Sequence, residues 1–343
     1  MHSSVLVLPY LDHIPKLAEA PVALGAGTAI IGRATVGKGA YFATLAMIRA
    51  DGHYVTVGDD FWFGAKSAVH IAHAVLPTII GSGVTVGMNS TVHACEVGDH
   101  CVVEDNVTIL DGSVVGEGCV IAAGSVVFPR TQLPAGHWCE GSPAKPLRPI
   151  TSEQLSAARA RVRGLMLATR HRPMESEGFP EGESNYVAPT ATARGRIVLE
   201  PDASVWFSCE LDAGKHSISA GAGTNIQDNT VILAHAGPVR IGAEVTIGHN
   251  VTLQSCDIGN RSLIGMGAVL APGTVVEDDI LVAAGTVTLP GQRLTSGFMW
   301  AGRPARQLGA LDDGKRNIIK YGASHYVDYN RDFLRTTEQV VTR

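Results

Sequence analysis

Beginning at Leu24, an aliphatic or aromatic residue returns every six positions: Leu24, Ile30, Val36, Phe42 and Ile48. A period of six is neither the 3.6 of a helix nor the 2 of an isolated strand. The beat resumes as Val57, Phe63 and Val69, then as Ile80, Val86 and Val92, and runs from Val97 through Val103, Ile109, Val115 and Ile121 to Val127. The second half repeats it with Val187, Ala193, Leu199, Val205 and Leu211, then Ile226 and Ile232. Ile241, Ile247 and Leu253 follow, and then Ile258, Ile264, Leu270, Val276 and Val282. One inward aliphatic per six residues suits a prism with three short strands per coil, its inward residues stacked from coil to coil and glycine or small residues turning the corners. The pattern predicts an all-β solenoid, present twice.

Each half also ends alike, with "CEGSPAKPLR" at 139–148 and "WAGRPARQL" at 300–308. A helical segment follows each, one from 151 and one from 314, the first opened by Thr151 and Glu153 as a capping box. The polar stretch 171–184, "HRPMESEGFPEGES", has linker composition. The expected organisation is a first β-helix domain with its C-terminal helix over 1–170, a linker over 171–184, and a second such domain over 185–343.

Composition narrows the class. With 343 residues, 45% of them hydrophobic and only 17% charged, the chain can fill two cores. A net charge of -5, with Lys and Arg scattered, supplies no basic field for nucleic acid or anionic lipid, so a small-molecule partner is expected. The N-terminus lacks a basic segment ahead of an apolar core, and no apolar run approaches membrane-spanning length, which predicts a cytoplasmic protein. Six cysteines without close pairing predict reduced thiols, with Cys95 and Cys256 as equivalent buried fillers.

Two phrases carry the chemistry: "VTVGMNSTVHAC" from Val84 to Cys95 and "VTIGHNVTLQSC" from Val245 to Cys256. They are copies of one motif in which Met88 and His93 of the first stand opposite His249 and Gln254 of the second. Together with "SVWFSCELD", "GTNIQDNTVIL" and "AGRPARQL", in that order, they resemble the gamma-class carbonic anhydrases, a hexapeptide-repeat left-handed β-helix family. The resemblance covers nearly the whole chain and implies two left-handed parallel β-helix domains. It also implies three histidine ligands to zinc at the interface between neighbouring β-helices, two from one and the middle one from the next. Transferred by position, the first copy holds the outer ligands His70 and His93 with Met88 between them. The second holds His249 with Leu233 and Gln254 outside it. The losses are complementary, which predicts one composite site made from His70, His93 and His249. Spacing agrees independently: His70 and His93 each follow an inward valine, Val69 and Val92, and so leave the same face on adjacent coils about 4.8 Å apart, within reach of one ion.

The accessory residues implied by the resemblance divide the same way. "RAD" in the first copy keeps Arg49 and Asp51 where the second has Asp212 to Gly214. The second keeps "NIQD", Asn225 to Asp228, where the first has Trp62, Phe63, Gly64 and Ala65. Gln227 is expected against the water on the metal, and Arg49, Asp51 and Asp228 in an ion-pair network across the interface. Gly52 stands where an acidic proton shuttle can occur, leaving His53 or Tyr54 as substitutes, and His73 in an "AHA" turn is expected to brace a ligand. His216 and the equivalent-turn His235 read as structural or surface residues. Trp62 and Met88 would make one side of the substrate pocket bulkier and less polar.

The resemblance implies an enzyme in which Zn2+, or Fe2+ or Co2+ in its place, makes hydroxide at about pH 7. That hydroxide would attack CO2, as in a lyase, or a small carbonyl compound. Two alternatives stand beside it: a metal-dependent hydrolase of a small ester, thioester or amide, and a metal-free scaffold or hexapeptide acyltransferase. Two domains cannot close a three-domain ring, so a homo-oligomer is expected, most simply a homotrimer.

Overall fold

In a computed structural model the chain is described over residues 5–169, 171–180 and 182–341. It forms two compact units, one ending at Pro173 and the other beginning at Met174. Among the described residues each is an all-β left-handed solenoid of parallel strands that ends in an antiparallel pair and is followed by one helix.

In the first unit the six-residue beat becomes three columns of inward side chains. Ile30, Ile48, Val69, Val92, Ile109 and Val127 stand above one another through parallel pairing on one face. Val36, Val57, Ile80, Val97, Val115 and Leu133 form the second column. Leu24, Phe42, Phe63, Val86, Val103, Ile121 and Cys139 form the third. The strand Met47–Val57 runs round a corner and joins the first two faces into one twelve-stranded sheet; the third is a separate eight-stranded sheet. These columns are almost entirely buried and make one continuous core. The second unit repeats the scheme in a nine- and a seven-stranded sheet, for example through Leu211, Ile232, Leu253 and Leu270.

Coils spaced one strand apart leave no room at the corners. A Cβ on Gly87 would lie 2.3 Å from Asp105 Oδ1 on the next coil, and that oxygen accepts the Met88 N–H at 2.8 Å. Asn89, at φ 54°, occupies the left-handed conformation that Asn tolerates better than bulky residues. Its side-chain amide donates to Asn106 on the coil above.

The two helices dock by different chemistry. Helix α1, Ser152–Ala168, buries Ala158, Val162 and Met166 against Val102 and Val120, and rivets itself with arginines. Arg161 pairs with Glu104, and Arg163 pairs with Asp60 at 2.9 Å while lying over the Trp62 ring. Its capping box joins Thr151 to Gln154, one residue beyond the expected Glu153, because N3 is the position whose side chain reaches back to the N-cap amide. Helix α2, Asp313–Val341, packs Tyr326, Tyr329 and Phe333 around Trp206. The buried Asn330 accepts the Tyr186 N–H and donates to the Ser184 carbonyl.

Part of the segment expected as a linker is bound to the second unit: Glu177 N donates to Ala193 O, Gly195 N donates to the Glu177 carboxylate, and Phe179 packs against that unit's core. All six cysteines are free thiols and buried. Burial pushes the Cys256 thiol up to about 12, so it is an inert filler. Among the described residues no helix is long and apolar enough to cross a membrane.

Replacing Ile109, between Val92 and Val127, by Ala should cost about 2–5 kcal/mol of first-unit stability, whereas Ala at the exposed Glu96 should stay within about 0.5 kcal/mol. Denaturant unfolding followed by intrinsic fluorescence tests this, and equal costs at the two positions would contradict the column assignment.

Candidate metal centre

In the first unit the strands Ala68–His70 and Thr91–His93 pair in register, with His70 opposite His93. Because Val69 and Val92 point inward, alternation turns both histidines outward at the same corner. The rings meet with centroids 5.2 Å apart, and His70 Nδ1 lies 3.3 Å from His93 Nε2. The Thr78 hydroxyl, where the chain returns from the excursion 71–77, donates to the His70 carbonyl and anchors the strand end.

The far nitrogen of each ring meets a carboxylate. His70 Nε2 is 3.0 Å from Asp51 Oδ1, and His93 Nδ1 is 2.6 Å from Asp111 Oδ1. Asp51 is itself held by Arg49, whose Nη1 stands 3.3 Å from Asp51 Oδ2, and both side chains are fully buried. A carboxylate accepts an N–H, so the outer nitrogens carry ring protons, and with both imidazoles neutral the two inner nitrogens present lone pairs to each other. Such a juxtaposition is unfavourable unless a cation lies between them. Two nitrogens bound at 2.0–2.1 Å around a tetrahedral metal are about 3.3 Å apart. The donor set therefore fits a metal.

In the second unit His249, buried just after the strand Thr246–Ile247, has its Nδ1 3.0 Å from Asp228 Oδ2. The other Asp228 oxygen accepts the Phe207 N–H at 3.0 Å, which fixes the carboxylate. Gln227 donates to Asn225 Oδ1, and Asn225 donates to Thr246 Oγ1, so this motif also braces two coils.

The three histidines and their carboxylates are kept or lost together. His70 and Asp51 correspond to Leu233 and Gly214; His93 and Asp111 to Gln254 and Pro272; His249 and Asp228 to Met88 and Ala65. Where one of these histidines is replaced, its carboxylate is gone as well. The partner of His93, Asp111, was not among the expected site residues. Its signal was "LDG" in the first copy against "APG" in the second, two positions beyond the inward Ile109 and Leu270.

Arg49, Asp51, His70 and His93 thus form one network in the first unit, and Gln227, Asp228 and His249 lie together in the second. Others lie apart from the histidine pair. Trp62, on the eight-stranded sheet, stacks on Tyr41. Met88, just past that sheet, has its sulfur 3.2 Å from His171 Nε2 and borders a cavity of about 430 Å³ with Phe42 and Met166. His53 and Tyr54 sit beyond Asp51 on the corner strand, where the His53 ring accepts the Tyr54 N–H. His73 is half-buried in the excursion, with φ 42°.

The matching face of the second unit carries a different cluster. Asp212, in register with Leu233, is bridged by Arg194 and by His235 Nε2 at 2.9 Å. Burial pushes its carboxyl up, but hydrogen bonds from Arg194, His235 and the Gly214 N–H outweigh this and hold it at about 2.

Comparison with known proteins agrees with this architecture. The bacterial transferase hexapeptide (six repeats) family matches residues 94–129, and the hexapeptide repeat of succinyl-transferase matches 54–94, 238–272 and 256–288. Gamma carbonic anhydrase 2, mitochondrial, of Arabidopsis thaliana is 36% identical over 150 residues, covering 42% of this chain and 54% of the relative. The chain thus spans about half the length of that relative. Protein YrdA of Escherichia coli K12 is 34% identical over 165 residues, covering 46% of this chain and 90% of YrdA. A solved structure of a proposed acetyltransferase from Desulfovibrio desulfuricans G20 covers 90% of this chain and 78% of its own at 13% identity and a TM-score of 0.56, a likeness of fold alone. The chain belongs to the gamma-carbonic-anhydrase-like hexapeptide-repeat family, here as a tandem duplication.

Because the Asp212 carboxyl is depressed in the fold, its contribution is complete above the ordinary aspartate value of about 3.9 and disappears as pH falls to about 2. Asp212→Asn should therefore be less stable than the parent near neutrality, with the gap closing across that window. Thermal unfolding at stepped pH measures it; a gap unchanged across the window would assign the effect to packing rather than charge.

Proposed function

We propose that the chain is a metal-dependent enzyme of gamma carbonic anhydrase type, in which His70 and His93 of the first unit and His249 of the second hold one metal at a composite site. The observation that carries this reading is the inner nitrogen pair of His70 and His93, 3.3 Å apart with both outer nitrogens on carboxylates. It is supported by the complementary histidines of the two copies and by the paired loss of each histidine with its carboxylate. Zinc bound there, or iron or cobalt, would supply Lewis acidity and make water nucleophilic at about pH 7.

The protein's own residues have separate tasks in this proposal. Asp51, Asp111 and Asp228 face the three imidazoles and orient them for ligation. Arg49 pairs with Asp51 and orients it. Gln227 presents an amide to water or to the oxygen of a small substrate, whereas Trp62 and Met88, apart from the histidine pair, take no part in it. The substrate is CO2 or a small carbonyl compound; hydrolysis of a small ester, thioester or amide uses the same constellation. Free buried thiols fit a reducing cytoplasm, and the working form is a homo-oligomer, most simply a homotrimer.

Elemental analysis of the purified chain should find about one metal per chain or less, lost in His249→Ala although the second unit retains neither outer ligand. Retention by that variant would remove His249 from the site. Metal-free protein that binds acyl-coenzyme A would instead establish the acyltransferase alternative. A metal-loaded protein would next be assayed for CO2 hydration and then against esters and thioesters.

A further inference from the structure

We infer that Asp111 is a positioning residue: it accepts the proton-bearing Nδ1 of His93 and thereby aims His93 Nε2 at the metal and sets metal affinity. The inference rests on the metal-site reading above and deepens it by naming a residue outside the expected set.

The turn that carries Asp111 does not need its carboxylate. In the first unit Gly112 N donates to Ala94 O at 2.7 Å, and Arg130 N donates to the Asp111 carbonyl at 2.9 Å. In the second unit the same turn is built with Pro272: Gly273 N donates to Ser255 O at 2.8 Å, and Gly291 N donates to the Pro272 carbonyl at 2.9 Å. The backbone bonds are the same with and without the acid. Nor does the carboxylate serve the core, since its side chain is 44% exposed. What distinguishes the two copies is the residue below it. His93 lies 2.6 Å from Asp111, whereas Gln254 stands in that position below Pro272, whose ring offers no acceptor.

A half-exposed acid bonded to an imidazole adds little to folding, so the imidazole is what the Asp at this turn serves. Bonded this way, His93 is held as the tautomer with Nε2 deprotonated, and its ring cannot swing about χ2 without losing the bond. The adjacent charge also makes Nε2 a stronger donor to a cation. Asp51 serves His70 similarly but is buried with Arg49, so only Asp111 can be removed without stranding a buried charge.

The test compares the full chain with Asp111→Ala, Asp111→Asn and His93→Ala, measuring the zinc dissociation constant by chelator competition, the visible spectrum with cobalt, and the melting temperature of chelator-treated protein. Asp111→Ala should bind zinc about 10- to 100-fold more weakly, with a shifted cobalt spectrum and an unchanged melting temperature without metal. Asp111→Asn should fall between, because its amide oxygen still accepts the N–H but carries no charge. Parent-like affinity in Asp111→Ala, or weakened affinity matched by an equal loss of metal-free stability, overturns the positioning role. If His93→Ala also keeps parental affinity, the metal-site reading itself fails; if it loses metal while Asp111→Ala does not, only the inference about Asp111 fails.

Discussion

The stacking of one coil directly on the next, strand over strand at about 4.8 Å, is the constraint from which the other features follow. It demands one inward aliphatic per face per coil, which fills the narrow core by columns such as Val69, Val92, Ile109 and Val127. It demands small residues at corners such as Gly87, where the next coil is already in contact. It also turns register into chemistry. Residues that follow the inward aliphatic on adjacent coils emerge side by side, which is how His70 and His93, far apart in the chain, bring two ring nitrogens within 3.3 Å.

Duplication of such a solenoid provides an internal control. Both units build the same columns and the same corner turns, so whatever differs between equivalent positions is not required by the coil. Judged this way, the coil does not require Asp51 or Asp111, because Gly214 and Pro272 occupy the same places in the sister unit. The comparison also separates mixed roles. Asn225 and Gln227 brace neighbouring coils through Thr246, while Asp228 both caps a backbone amide and faces His249. In the second unit Arg194, Asp212 and His235 form an ion-pair cluster on the face where the first unit carries its histidine pair.

The helices show how the same architecture is closed by different means. Arginines reach from α1 across to Glu104, Asp60 and the Trp62 face, whereas α2 inserts an aromatic cluster around Trp206. Trp62 shows the consequence for reading function: a large aromatic at a motif position is held by α1 and Tyr41, under a helix whose side-chain contacts a linear pattern does not reveal.

The sequence by itself determined the solenoid and its duplication, because a recurring six-residue period puts one inward aliphatic on each face of each coil, and it singled out His70, His93 and His249 because the two aligned copies differ there. Asp111 could have been found there as well, in "LDG" against "APG", but nothing in one dimension ties it to His93 eighteen positions earlier. Only the tertiary structure decided that pairing, the tie between Arg49, Asp51 and His70, and the position of Met88 beside His171. Side-chain hydrogen bonds between coils depend on corner geometry and on how far each excursion displaces the chain, and neither is encoded in the spacing of hydrophobic residues.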